Sequence, residues 1–208
     1  MISTRELCSL APVVPVIVLD RLEDALPAGL ALVAGGLKVL EITLRTPVAL
    51  DVIRVLSQEI PEAVVGAGSV NTPDLLMKAK AAGAQFAVAP GCTPSLLSAS
   101  RGEDLALLPG ANTPSEIMTL LDEGLEVMKF FPAEQAGGAA FLKSIAGPLP
   151  QARFCPTGGI TPEKARDYLA LPNVLCVGGS WVLPKDALAA GDWAKVTALA
   201  SACAGLKG

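Results

Sequence analysis

The sequence predicts an α/β fold, a single-domain (β/α)8 TIM barrel, on three observations: eight short apolar runs, helix starts marked by Thr-Pro, and helix ends marked by glycine. The runs are Val13–Leu19, Leu37–Leu44, Ala63–Gly68, Ala84–Ala89, Leu105–Leu108, Leu125–Phe131, Arg153–Thr157 and Val174–Gly178. Each is too continuously apolar for a sheet with one wet face, the pattern of parallel strands covered on both sides. An open doubly wound sheet is the alternative, and it offers no reason for eight repeats.

Taken in order, residues 1–11 form a short helical extension before the first strand. After that strand, Arg21–Ala34 places Leu22, Ala25, Leu26, Leu30 and Val33 on one helical face, and Ala34-Gly35-Gly36 stops the helix just before the second run. Thr46-Pro47, Thr72-Pro73, Thr93-Pro94, Thr113-Pro114 and Thr161-Pro162 each predict a helix start. The threonine hydroxyl accepts from the first free amides, and proline at the first helical position gives up an N–H that has no partner there. Thr113-Pro114-Ser115-Glu116 adds a capping box. Ala82-Gly83 and Glu123-Gly124 are further stops, and Asp192–Ala202 is the last helix. No linker or shift in composition divides the 208 residues, so one domain spans 1–208.

Composition narrows the function. With 51% apolar and 17% charged residues a large core is expected and disorder is not. A net charge of −4 without any Lys/Arg run argues against nucleic acid as a partner, while small anions can still be held by backbone amides. The five cysteines, Cys8, Cys92, Cys155, Cys176 and Cys203, are widely spaced and odd in number, which suits small buried hydrophobes in a reducing, cytoplasmic interior. No basic N-terminal region leads into a long apolar core, and Val13–Leu19 is too short to span a bilayer, so no membrane partner is expected.

Lys129 is the chemically conspicuous residue, a lone amine in Val127-Met128-Lys129-Phe130-Phe131-Pro132 in a chain without histidine. Burial among apolar groups disfavours the charged form of an amine, the condition under which a lysine attacks a carbonyl. A snorkelling lysine with its head in water is the alternative, and the segment alone leaves both open. Without histidine, acid and base work falls to carboxylates, tyrosine, water or lysine itself, and transition-metal chemistry loses its commonest ligand. Strand parity puts Glu41, Thr43 and Arg45 on one face of the second strand, and Val127, Lys129 and Phe131 on one face of the sixth. In an eight-stranded barrel those strands face each other. A self-neutralising Glu41–Arg45 pair with Lys129 as spectator is the bland alternative, but three charges in one interior are costly without a function.

Two glycine pairs, Gly158-Gly159 after the seventh strand and Gly178-Gly179 before Ser180, sit where such barrels hold a phosphate on backbone amides. They predict a phosphorylated substrate. Glycines that merely serve tight turns are the alternative.

The motifs Val-Leu-Glu-Ile-Thr-Leu-Arg-Thr, Val-Gly-Ala-Gly-Ser-Val, Lys-Phe-Phe-Pro-Ala-Glu, Arg-Phe-Cys-Pro-Thr-Gly-Gly-Ile and Leu-Cys-Val-Gly-Gly-Ser-Trp, in this order, resemble the signatures of the 2-keto-3-deoxy-6-phosphogluconate (KDPG) and 4-hydroxy-2-oxoglutarate (KHG) aldolases, a class I family. The resemblance runs from about Pro12 to the C-terminus. It implies that Lys129 forms a Schiff base and Glu41 shuttles protons. It further implies that Arg45 and Ser69 bind the substrate carboxylate, that Pro90, Phe131 and Thr157 line the pyruvyl pocket, and that Gly158, Gly159, Gly179 and Ser180 hold the phosphate. The substrate class implied is a small keto-acid phosphate, with no metal or organic cofactor, in a homotrimer. Ser69 stands where the family usually has threonine, and Cys92 and Asn112 also depart from its pattern. A phosphogalactonate-specific aldolase, an isomerase or synthase on the same scaffold, and a silent sugar-phosphate sensor are the rival readings. Only an aldolase needs Lys129 and Glu41 together.

Overall fold

The computed structural model describes residues 2–206; Met1 and residues 207–208, which the single-domain reading also covers, lie outside the described residues. All eight expected strands are present: β1 (Val13–Ile17), β2 (Val39–Thr43), β3 (Val64–Gly68), β4 (Phe86–Val88), β5 (Ala106–Leu108), β6 (Val127–Phe130), β7 (Arg153–Pro156) and β8 (Val177–Gly179). They pair in parallel as a six-stranded sheet, β5-β4-β3-β2-β1-β8, and a two-stranded sheet, β6-β7.

Single bridges, rather than continuous ladders, link the two sheets. Gly110 bridges Lys129 at one seam, and Phe154–Val174 and Thr157–Gly178 do so at the other. Proline accounts for both interruptions, because it has no N–H to give to a ladder. Pro109 follows β5, where its carbonyl still accepts from Lys129 N–H at 2.8 Å, and Pro156 stands between the two bridges of the β7–β8 seam.

The helices lie between the strands as anticipated. Four of the five Thr-Pro pairs cap: Thr72, Thr93, Thr113 and Thr161 accept from the amides of Leu75, Leu96, Glu116 and Lys164 and open α4 (Pro73–Ala81), α5 (Pro94–Gly102), α6 (Pro114–Asp122) and α8 (Pro162–Leu169). The capping box at Thr113 and Glu116 is formed. Thr46-Pro47 is the exception. It makes a turn, and α3 (Ala49–Glu59) begins later, after Val48, with no side-chain cap. Arg21–Ala34 divides into a 3-10 turn, Leu22–Asp24, and α2 (Ala25–Ala34). A helix α1 (Thr4–Ser9) precedes β1, α7 (Gly138–Ile145) precedes β7, and α9 (Lys185–Ala190) and α10 (Trp193–Ala204) close the chain.

The strands bury both faces, as continuous apolarity requires. Leu40, Ile42, Met128, Phe130 and Phe154 pack outward against the helices. A second, inner cluster holds Val39, Phe86, Val88, Val127, Cys155 and Cys176, and Leu7 and Cys8 of α1 join it. Since Val39, Phe86 and Val127 open their strands, α1 covers the N-terminal end of that inner face and leaves the C-terminal end for chemistry. All five cysteines are free thiols; four are buried and Cys92 is half-buried, beside the end of β4. No helix among the described residues is long and apolar enough to cross a membrane.

Candidate active site

Parity along β2 directs Glu41 and Thr43 into the inner face, both almost wholly buried. The Thr43 hydroxyl donates to the Ile17 carbonyl at 3.0 Å and so ties β2 to β1. Glu41 is different: its carboxylate meets Lys129 of β6, Nζ to Oε1 3.4 Å, with both side chains 4% exposed. Room for that carboxylate comes from Gly68 at the end of β3, where a Cβ would collide with Glu41 Oε1. Burial pushes the Glu41 carboxyl above the usual carboxylate range, and the nearby Lys129 charge only partly opposes this.

Arg45 lies just past β2, and its Nε donates to Ser69 Oγ at 2.9 Å. Ser69 adopts a φ of 60°, a left-handed conformation uncommon for a residue with a side chain. Such conformations cost about 1–3 kcal/mol and gather at sites where a side chain must be aimed. Together these place a guanidinium and a hydroxyl side by side at the C-terminal ends of β2 and β3.

A cavity of about 1090 Å3 opens at this end of the strands. Arg45, Thr46, Phe131 and Thr157 line one part of it, and Gly158, Gly159, Gly178 and Ser180 line another. Lys129 and Glu41 are buried and not themselves on its wall, and Phe131 links the two, lining the cavity with its ring centroid 5.3 Å from Lys129 Nζ. Thr157 bridges Gly178, where a Cβ would run into the Thr157 hydroxyl, so glycine there permits the approach of β7 to β8.

Two expected residues are placed otherwise. Gly179 is directed away from the cavity, because successive residues alternate across β8, and a Cβ there would strike the Trp181 ring. Pro90 is exposed after β4 and is not on the cavity wall; its carbonyl packs where a Cβ on Gly110 would fall.

Other residues on or near the wall have no motif to announce them. Arg21 makes a bidentate pair with Asp24, 2.9 and 2.6 Å, and both line the cavity; an Arg-x-x-Asp spacing at the helix entry was the available signal. Asn112 Nδ2 donates to the Phe131 carbonyl at 3.3 Å and steadies that ring's backbone. Thr46 Oγ1 is buried without a hydrogen-bond partner, the counterpart of its failure to cap α3. Glu134, beyond β6, accepts from Tyr168 Oη at 2.6 Å and pairs with Lys164.

Residues 4–199 match the family model described as KDPG and KHG aldolase. The KHG/KDPG aldolase of Escherichia coli (strain K12) is 54% identical over 198 residues, spanning 95% of this chain and 93% of its own length. The 2-dehydro-3-deoxy-phosphogluconate aldolase of Dickeya dadantii (strain 3937) is 54% identical with the same spans, 95% and 93%. Among solved structures, KDPG aldolase from Legionella pneumophila, with pyruvate captured at low pH as a covalent carbinolamine intermediate, superposes with a TM-score of 0.94 at 47% identity, covering 96% of this chain and 97% of that one.

Proposed function

The chain belongs to the KDPG and KHG aldolase family, and from that premise we propose how its own residues carry out the reaction. It is a class I aldolase, a carbon–carbon lyase that splits 2-dehydro-3-deoxy-6-phosphogluconate into pyruvate and glyceraldehyde 3-phosphate. The observation that carries the assignment of residues is the buried contact of Lys129 Nζ with Glu41 Oε1 at 3.4 Å.

Lys129 is the Schiff-base lysine. Glu41 stands within reach to take its proton, and the freed amine attacks the C2 ketone of the substrate to give a carbinolamine. Glu41 returns that proton to the carbinolamine hydroxyl, which leaves as water; the carboxylate is thereby restored and a protonated imine remains, which draws electrons from the C3–C4 bond. Glu41, as carboxylate, removes the C4 hydroxyl proton; the C3–C4 electrons move to C3 as the bond breaks, releasing glyceraldehyde 3-phosphate and leaving an enamine. The same carboxyl returns a proton to C3, and water hydrolyses the pyruvate imine to regenerate the amine. Arg45 and Ser69, already paired at 2.9 Å, hold the substrate carboxylate, and Phe131 and Thr157 shape the pyruvyl end. Backbone amides around Gly158 and Gly159 with the Ser180 hydroxyl receive the phosphate.

The scaffold is proposed to be a complete (β/α)8 barrel in one domain, its two sheets joined through the bridges Gly110–Lys129, Phe154–Val174 and Thr157–Gly178. The same site also accepts 4-hydroxy-2-oxoglutarate, a reading that rests on the E. coli relative's name. The family resemblance extends the proposal to a homotrimer, and five free thiols fit a reducing cytoplasm. Borohydride reduction in the presence of pyruvate, followed by peptide mapping, tests the central assignment.

A further inference from the structure

Glu134 and Tyr168 make a contact that the reaction as described does not use. Tyr168, on α8, is 1% exposed, and its hydroxyl spends its only proton on Glu134 Oε1 at 2.6 Å across 34 residues. The other carboxylate oxygen pairs with Lys164, also on α8. Glu134 belongs to the loop that follows β6, immediately after the segment bearing Lys129 and Phe131. Its backbone N–H donates to the Gly158 carbonyl at 3.2 Å, and Ala133 N–H donates to the Thr157 carbonyl at 2.8 Å. Its side chain also lies directly beneath the glycine pair, since a Cβ on Gly159 would fall 2.9 Å from Glu134 Cγ.

Glycine at 158 and 159 has backbone angles of φ 107° and 74°, which leaves the loop conformationally loose unless something outside it fixes its path. Ile160 and Thr161 anchor only the far end of the loop, Ile160 in the core and Thr161 as the cap of α8, and the two glycines have no side chain of their own to do so. Glu134 supplies the restraint from one side, and Tyr168 holds Glu134 in turn. A carboxylate this close to an anion site would also repel a phosphate, so its two oxygens have to be committed elsewhere, as they are to Tyr168 and Lys164.

We propose that Tyr168 and Glu134 are positioning residues that set the Gly158–Gly159 loop for the phosphate end of the substrate. The inference rests on the assignment of that loop to phosphate under the proposed function. Neither residue touches the reacting carbons, so their effect is confined to binding of the far end. Holding the loop in its binding-competent path removes an ordering cost that would otherwise weaken affinity.

Steady-state kinetics with both substrates tests this. Tyr168→Phe keeps the buried ring and deletes one hydroxyl. KM for the phosphorylated substrate should rise about threefold to tenfold, the effect of one hydrogen bond, with kcat within about twofold. KM for 4-hydroxy-2-oxoglutarate and pyruvate trapping should stay within about twofold of wild type. Glu134→Gln, which still accepts from Tyr168, should restore most of the affinity lost in Glu134→Ala. A rise in KM that is equal for both substrates, no rise at all, or a fall in kcat alone overturns the inference. Should Tyr168→Phe not fold, the comparison of Glu134→Ala with Glu134→Gln carries the same outcomes. Ser180→Ala, measured alongside, separates the two levels: if it distinguishes the substrates and Tyr168→Phe does not, the positioning role alone is overturned; if it does not, the phosphate assignment falls and this inference with it.

Discussion

Lys129 and Glu41 form the one ion pair among the described residues in which both side chains are nearly excluded from solvent, each 4% exposed. A pair of this kind is a poor investment in stability, because desolvating two charges costs about as much as their attraction returns. Its separation of 3.4 Å, at the long end for a hydrogen bond, also leaves the amine loosely held and able to turn towards a carbonyl. Chemistry explains the pair better than architecture does.

Pyruvate with borohydride is expected to add one reduced pyruvyl group per chain, and peptide mapping should place it on Lys129. Attachment to Lys143, or none, removes the Schiff-base assignment. Lys129→Arg should abolish cleavage, because a guanidinium stays protonated and forms no imine.

For Glu41→Gln, which keeps shape and loses the base, trapping by pyruvate should persist at least in part while turnover drops by about 10² or more. Single-turnover and steady-state rates measured together show whether the loss is in proton transfer. Turnover within a few-fold of wild type would assign that step to another group.

The pH profile follows from burial of the same carboxyl. Burial favours the neutral form and raises the Glu41 pKa; the base is the ionised form, so activity should disappear at a higher pH on acidification than an exposed glutamate, near 4.3, would impose. The acid limb of kcat/KM reports it, and that limb should flatten in Glu41→Gln.

Discrimination by the phosphate end should reside in Ser180. Its replacement by alanine is expected to lower kcat/KM by about 1.5–3 kcal/mol for the phosphorylated substrate, the worth of a hydrogen bond to a charged group, and by less for 4-hydroxy-2-oxoglutarate. Gly179→Val gives a different signature. Its side chain meets Trp181 rather than the cavity, so the thermal midpoint should fall and both substrates should suffer.

Thr46→Val is expected to leave stability unchanged or raise it by about 1 kcal/mol in denaturant unfolding, since it removes a buried hydroxyl that has no partner and keeps the branched shape. A loss of about that size would show that the hydroxyl is bonded in solution.

Local rules carried the elements well. Thr72, Thr93, Thr113 and Thr161 cap as their sequence predicts because a cap is decided within four residues. Thr46 fails because the chain leaving β2 first makes the turn that presents Arg45, and tertiary demand overrides the local signal. Parity was legible for the same short-range reason and put Glu41 and Lys129 on facing sides. The same alternation along β8 turns Gly178 towards the cavity and Gly179 towards Trp181. Illegible in principle were the contacts made across sequence distance: Glu134 with Tyr168, Asn112 with the Phe131 carbonyl, and the isolated bridges beside Pro109 and Pro156. No window of sequence holds both partners, and only the packed chain brings them together.

Gly68 makes the placement of the base a shared property of two strands. The carboxylate of Glu41 occupies the space where the next strand's side chain would stand, so what tunes it is a missing methyl group. Such a vacancy escapes any inventory of reactive groups, yet a single added carbon at that point displaces the proton acceptor while changing the identity of no reactive residue. Whoever redesigns this enzyme for another aldol acceptor inherits that constraint, and inherits with it a handle: the base can be moved by reshaping its empty neighbour, without altering its chemistry.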